Sequence, residues 1–303
     1  LPACSASLCG MALPWKKITI IGVGLLGGSL GLAIKACDPR ARIVGVGRRP
    51  QSLDQALKVG AVDAASLDAA QAVRDAQLVV LATPVGAFED HLRAIRDALP
   101  PGAIVTDVGS TKAVVVRTAT RVLTRRQSDG VAFVGSHPMA GSELRGPTNA
   151  RADLFAGATC IITPTLRTSK PAVDTVDSFW QGLGMRTVRM TPADHDKAVA
   201  RISHLPHALA ALLMGLPTDA ELEVSATGFR DATRLASGDA EMWRDIFATN
   251  SKEILAALKA FDRRMTHFRD LIEAGNLDGI ERVLNQARDR RSQTILKEEG
   301  CRL

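Results

Sequence analysis

Short β-branched runs alternate with helical patterns along the first two thirds of the chain. The runs are Ile18–Ile21, Ile43–Val46, Leu78–Ala82, Ile104–Thr106, Phe133–Val134, Cys160–Ile162 and Thr187–Met190. Parallel strands need long crossover connections, so this alternation predicts a mainly parallel sheet with crossover helices. The early runs are apolar at successive positions, as in strands covered on both faces. After Pro192 strand-like patterning stops. Asp194 to Met214 reads as one helix with a kink or break at Pro206, and Met242 to Phe268 as another. Gly275-Asn276 breaks the pattern, and Leu277 to Ile295 forms a last helix. Residues 1–15 read as a tail outside the fold, 16–191 as the α/β domain and 192–303 as an all-helical one.

Composition supports this division. The chain has 303 residues, room for two domains at about 150 residues each. Hydrophobic residues are 46% and charged residues 23%, an ordinary globular mixture. No apolar run is long enough to span a membrane. Lys and Arg number 38 against 32 Asp and Glu, a net charge of +6. These charges are scattered singly and in pairs such as Arg48-Arg49 and Arg125-Arg126. With 4% aromatics and no tyrosine, a nucleic-acid surface of basic stripe and stacking rings is not supported. A small anionic substrate, or simply a soluble surface, suits the mild basic bias. The five cysteines are odd in number and lack a C-x-x-C pair, which points to reduced thiols in a cytoplasmic protein. Leu1–Gly10 has no signal-peptide pattern, and Met11, just before the first strand, reads as the natural start.

The most specific local signal is Gly22-Val-Gly24-Leu25-Leu26-Gly27-Gly28-Ser29, directly between a predicted strand and a helix. Gly22 permits the tight turn, Gly24 lets backbone approach a pyrophosphate, and Gly27 allows close helix–strand packing. The N–H groups of Leu25, Leu26 and Gly27 then face the phosphates at the helix start. Together with the strand pattern this predicts an α/β dinucleotide-binding (Rossmann-type) domain followed by an all-α domain. The second strand ends Val46-Gly47-Arg48-Arg49-Pro50, without the acid that accepts from the ribose hydroxyls of NAD. Arg48 and Arg49 there favour NADP over NAD, because arginine pairs with a 2′-phosphate; as plain solvated loop charges they would leave either cofactor open. Leu81-Ala-Thr83-Pro84-Val85 and Asp107-Val-Gly109-Ser110-Thr-Lys112 follow two further strands, at the carboxyl ends where such sheets bind ligands. Thr83 and Pro84 are candidate cofactor contacts. Ser110 either reaches the reacting end of the cofactor or caps the helix starting near Thr111.

His137 lies in Gly135-Ser136-His137-Pro138-Met139-Ala140-Gly141-Ser142-Glu143. A histidine held among small residues after a strand suits a general base. His204 and His207, in Ser203-His204-Leu-Pro206-His207, share one helical face. A third ligand is lacking, so a structural or substrate-contact role ranks above a metal site, and no metal is expected. His91 and His267 read as exposed helix histidines. In Gly228-Phe229-Arg230-Asp231-Ala-Thr-Arg234, Asp231 lies one turn from Arg234 and is suited to fix its guanidinium, or to form an ordinary surface ion pair.

Taken together, these segments resemble the prephenate dehydrogenase family, which includes arogenate and cyclohexadienyl dehydrogenases. The resemblance runs from about Lys16 to Arg290. It rests on G-V-G-L-L-G-G-S at Gly22–Ser29, L-A-T-P-V at Leu81–Val85, D-V-G-S-T-K at Asp107–Lys112 and H-P-M-A-G-S-E at His137–Glu143. A-D-H-D with S-H-L-P-H at Ala193–His207, and G-F-R-D-A-T-R at Gly228–Arg234, complete it. The glycine fingerprint is common to many dehydrogenases, whereas the two histidine motifs in this order are specific.

The resemblance implies a dinucleotide-binding domain followed by a helical dimerisation domain, hence a homodimer. It implies oxidative decarboxylation: C4 of the ring gives a hydride to the nicotinamide while the ring carboxylate leaves as CO2. Prephenate would give 4-hydroxyphenylpyruvate, and arogenate tyrosine. By resemblance His137 takes the proton of the 4-hydroxyl, Ser110 orients that hydroxyl, Arg234 binds a substrate carboxylate and Asp231 positions Arg234. His207 would lie near the substrate side chain, with Glu143 and Trp243 lining the pocket. The missing acid at Gly47 departs from NAD use. No fused mutase or regulatory domain fits around these segments. Two other readings of the residues are a different two-domain NADP-dependent dehydrogenase and a non-catalytic NADP(H) sensor. Neither explains the His137 and His204/His207 motifs.

Overall fold

The computed structural model describes residues 14–300 except Glu143, with the side chains of 295–300 outside the described set. Met11 and the rest of 1–13 therefore lie outside the described residues. Trp15, expected in the tail, is buried instead and packs edge-on against Phe179, ring centroids 5.3 Å apart. The strands are β1 (Lys17–Ile21), β2 (Arg42–Val46), β3 (Ala64–Ser66), β4 (Leu78–Leu81), β5 (Ile104–Asp107), β6 (Ala132–Pro138), β7 (Thr159–Thr163) and β8 (Arg186–Arg189). They form one sheet in the order β3-β2-β1-β4-β5-β6-β7-β8. All pairings are parallel except β6–β7. Only β3 had no counterpart among the predicted runs. Its sequence, Ala-Ala-Ser, carries no β-branched residue, and pairing with β2 alone makes it a strand.

Helices connect and cover the strands. They are α1 (Leu25–Cys37), α2 (Pro50–Lys58), α3 (Ala69–Val73), α4 (Phe88–Ile95), α5 (Ala113–Leu123) and α6 (Lys170–Gly182). After the last strand come α7 (Pro192–Val199), α8 (Leu205–Met214), α9 (Asp219–Glu223), α10 (Thr227–Thr233), α11 (Ala240–Thr249), α12 (Ser251–Glu273) and α13 (Leu277–Gly300). The period of two along a strand divides its side chains between two cores. In β4, Leu78 and Val80 join Trp15, Phe155 and Trp180 on one face, while Val79 and Leu81 join Phe88, Leu92 and Val115 on the other. The chain divides into two compact units, one ending at Glu253 and the other starting at Ile254. Helices α7 to α11 thus belong to the same unit as the sheet.

Two of the long predicted helices are interrupted where chemistry requires it. The break expected at Pro206 takes the form of a wide π turn at Ala200–His204 between α7 and α8. Proline has no N–H to give the carbonyl four residues earlier, so the backbone widens ahead of it. The helix read from Met242 to Phe268 is in fact two, parted at Asn250 (φ −123°, ψ 25°). Asn250 is buried, and its Nδ2 donates to the Asp196 carbonyl at 2.8 Å. That tertiary bond has no trace in the local apolar period. Gly275 ends α12 in the left-handed region, φ +60°, as its sequence position suggests.

Candidate active site

The cofactor end is built at the β1–α1 turn. Gly22 has φ +102°, and a Cβ there would meet the Ala82 carbonyl at 2.6 Å. A Cβ on Gly27 would collide with the Gly22 carbonyl, so helix and strand touch at backbone level. By contrast, a Cβ on Gly24 would meet nothing within 4 Å. No side chain caps α1, and its first turn carries no acid, so the N–H groups of Leu25, Leu26 and Gly27 are free for an anion. Nearby, Thr83 Oγ1 is buried without a hydrogen-bond partner. An orphaned hydroxyl beside Gly22 is what a bound polar ligand would satisfy. Pro84 is exposed next to it. The residues present therefore fit a dinucleotide. Arg48 and Arg49, at the end of β2, are exposed and have no carboxylate partner among the described residues.

The histidine of the H-P-M motif sits at the end of β6. The pairing of β5 with β6 runs from Ala132 to Val134 and stops there. Beyond it the Asp107 side chain takes over, accepting from the Ser136 amide at 3.1 Å and the Gly109 amide at 2.8 Å. Asp107 also pairs with Lys112, and both side chains are fully buried. Burial pushes the Asp107 carboxyl up, while Lys112 and the two amides pull it back. His137 is 9% exposed. Its Nδ1 lies 2.8 Å from His195 Nε2, and His195 Nδ1 lies 2.8 Å from Asp196 Oδ1. Asp196 in turn accepts from the Lys112 amide at 2.7 Å and the Ala113 amide at 2.9 Å. Desolvation holds His137 well below the ordinary imidazole value, reinforced by the charges of His195, Lys112 and His204. His195 is lowered too, desolvation outweighing Asp196.

Ser110 is half-buried and does not cap α5, contrary to one expectation. The helix starts two residues after Thr111, and Asp196 supplies its cap from α7. Ser110 is left without a hydrogen-bond partner among the described residues, while Thr111 Oγ1 lies 2.9 Å from Thr249 Oγ1 of α11.

From His195 a row of side chains leads to the predicted carboxylate clamp. Asn250 Nδ2 holds the Asp196 carbonyl and lies 3.2 Å from His204 Nδ1. Desolvation pushes His204 down to about 4, opposed by Asp196. His204 meets Trp243 edge-on, and His207 stacks on Trp243 with centroids 3.5 Å apart at 10°. Burial lowers His207 as well. Gly238 fits against both rings, since a Cβ there would come within 2.6 Å of each. Gly238 ends the short turn Arg234–Ser237, which brings the arginine segment beside His207 and Trp243. Arg234 and Asp231 are both exposed and form no ion pair with each other. Glu143 lies outside the described residues. Two residues on, Arg145 Nη1 pairs with Asp239 Oδ2 at 2.9 Å and ties that loop to the start of α11.

Of the predicted site residues, His137, His207 and Trp243 join one continuous cluster, Arg234 adjoins it, and the glycine turn with Thr83 forms a second. His91 is half-buried rather than exposed, its imidazole lowered by burial and by Arg48. Sequence reasoning missed His195, Asp196, Asn250 and Lys112 as parts of the base cluster. The A-D-H-D motif was visible, but no spacing rule links Asp196 to His137 across 58 or more residues. Among the described residues no group of three or more His, Cys, Asp or Glu side chains is arranged to hold a metal ion.

Comparison with known proteins decides the family. Residues 30–189 match the model of the prephenate dehydrogenase nucleotide-binding domain, and 191–286 that of the prephenate dehydrogenase dimerization domain. The chain belongs to the prephenate dehydrogenase family. Prephenate dehydrogenase of Bacillus subtilis is 36% identical over 94% of this chain and 77% of its own length. The crystal structure of prephenate dehydrogenase from A. aeolicus, in complex with hydroxyphenyl propionate and NAD+, superposes with TM-score 0.87 at 30% identity, covering 94% of this chain and all of that one. Synechocystis arogenate dehydrogenase superposes with TM-score 0.78 at 29% identity, covering 92% and 99%. Family members thus include enzymes named for each of the two substrates.

Proposed function

We propose that this protein catalyses the oxidative decarboxylation of prephenate, or of arogenate, using NADP in preference to NAD. The observation that carries the reading is His137: a buried neutral imidazole with Nδ1 committed to His195 and Nε2 bonded to no described residue. That is a base without a structural duty for its second nitrogen. A bound nicotinamide dinucleotide supplies the hydride acceptor. The protein's own part is to take the proton and hold the substrate. His137 Nε2 accepts the 4-hydroxyl proton, and the oxygen's electron pair forms the C4 carbonyl in place of the pair that leaves C4 as hydride. The pair of the bond to the carboxylate then closes the aromatic ring as CO2 leaves, and the oxygen takes a proton back. Ser110, its hydroxyl uncommitted, orients the same hydroxyl. Arg234 holds a substrate carboxylate, with Asp231 fixing its position, His207 lies near the substrate side chain, and Glu143 and Trp243 line the pocket. The exposed Arg48 and Arg49 support a 2′-phosphate, and Gly47 leaves no acid to repel it.

The proposal includes a homodimer formed through the helical segment and a cytoplasmic location. No described helix is long and apolar enough to cross a membrane. Exposed Leu212, Leu213 and Met214 on α8 and Met265 and Ile272 on α12 give the helices apolar surface suited to a second copy. Sedimentation velocity checks this: a monomer at micromolar concentration refutes the dimer. The reaction is tested by initial rates of reduced-cofactor formation with prephenate and arogenate, each with NAD and NADP. Turnover with either substrate is expected, faster with NADP. No turnover in all four combinations, with cofactor still bound in calorimetry, overturns the reaction.

A further inference from the structure

The Asp196–His195 pair has no role assigned above, yet it ends on Nδ1 of His137, the nitrogen opposite the one assigned to catalysis. The donors at its far end fix the direction of each hydrogen bond along it. Asp196 accepts two backbone amides at the start of α5, at 2.7 and 2.9 Å. Those amides only donate, so the carboxylate is an acceptor throughout. The bond at 2.8 Å between Asp196 Oδ1 and His195 Nδ1 is then donated by the imidazole. A neutral imidazole carries one proton, so His195 Nε2 holds a lone pair. The 2.8 Å contact to His137 is consequently donated by His137 Nδ1. His137 Nε2 is left bare.

We propose that Asp196 and His195 are positioning residues that set the tautomer of His137, making Nε2 its basic atom. This deepens the proposed reaction and rests on His137 being its base. A neutral histidine side chain in water favours the opposite tautomer, with hydrogen on Nε2, which could not accept the hydroxyl proton there. The protein reverses that preference by anchoring one carboxylate on a helix N-terminus, where α5 favours its negative charge. After proton capture the His137 cation lies next to the His195 lone pair, which Asp196 holds in line. The carboxylate is two rings away and is held by amides, so the proton stays on the imidazoles. Asn250 keeps α7, and with it Asp196, in register through the Asp196 carbonyl. The geometry follows the general rule that an acid orienting a histidine governs which nitrogen reacts.

The test begins with the enzyme free of substrate. Nitrogen-15 NMR of histidine-labelled protein at pH 7.5 is expected to show both His137 and His195 protonated at Nδ1. Hydrogen on Nε2 of His137 overturns the proposal whatever the enzyme acts on. Failure of prephenate and arogenate turnover with the Nδ1–H tautomers present would instead overturn the reaction and leave this assignment standing. For kinetics, His195→Phe is expected to lower kcat by about 100-fold or more, the low end of what a general base contributes. The KM values should change by no more than about threefold, as for an effect confined to the chemical step. His195→Gln offers an amide oxygen to His137 Nδ1–H and an N–H to Asp196. It should recover activity to within about tenfold of the wild type, because both bond directions are preserved. A Phe variant with unchanged kcat, or a Gln variant as impaired as Phe, reduces the pair to packing and refutes the proposal.

Discussion

His137 and Arg234 carry the two ends of the proposed reaction in very different surroundings. His137 is 9% exposed, at the end of a sheet strand, and belongs to a hydrogen-bonded row that includes a helix cap and a buried ion pair. Arg234 is exposed on a short turn and pairs with no carboxylate among the described residues. The contrast follows from what each end must do. A base has to keep one nitrogen bare and one protonation state, which requires low polarity and fixed partners. A carboxylate clamp has only to present charge, and leaving it wet avoids the cost of burying an unpaired cation before substrate arrives.

Substitutions at the two ends should therefore differ in kind. The largest effect is expected for His137→Asn: turnover falls by about two to four powers of ten, the usual worth of a general base, while calorimetry shows cofactor binding intact. Near-full turnover would remove the base assignment. Lys112→Met leaves Asp107 buried without its partner, and urea denaturation should show a loss of about 3–5 kcal/mol. A loss under 1 kcal/mol would mean that water reaches the Asp107 carboxylate. At the exposed end, Arg234→Gln should spare folding and raise the substrate KM by about ten- to a hundredfold, since a charge-assisted hydrogen bond contributes about 1.5–3 kcal/mol. An unchanged KM would sink the clamp. Arg48→Ala with Arg49→Ala should raise KM for NADP by about tenfold and leave that for NAD unaltered. Equal changes for both cofactors would detach these arginines from the 2′-phosphate.

The pH profile sharpens the same comparison with the mildest perturbation. The working form of His137 is neutral, so kcat/KM should rise with pH through its pKa and level off above. Desolvation lowers that pKa, so the plateau should extend below pH 6.5, the ordinary imidazole value. A limb centred above neutrality would show a hydrated base and erase the contrast between the ends. Stability carries a matching sign. His204 is neutral in the fold, with its pKa pushed down to about 4. Its contribution is complete above about pH 6.5 and is lost as pH falls toward 4, because the unfolded chain binds the proton first. Measuring unfolding free energy from pH 7 to pH 4 checks this.

The apolar periods, the glycine turn and the positions of Pro192 and Gly275 fixed most of the element order in advance, because these signals act over a few residues. A strand needs only its own pattern to reveal itself, and Gly22 and Gly27 announce a close backbone contact by lacking a Cβ. His137 stood out in the same way, as a histidine that packing among small residues does not explain. What the sequence could not contain was the partnership of distant groups. The wide turn that seats His204, the break at Asn250, the cap that Asp196 gives α5 and the link from Asp196 through His195 to His137 all join segments far apart in the chain. Local propensity is a sum over neighbours, whereas a buried polar network exists only once the sheet and helices have brought its members within hydrogen-bond reach and excluded water. The chain's own pattern therefore determined which fold forms and which histidine to suspect. Tertiary structure alone decided which nitrogen of that histidine is left free to react.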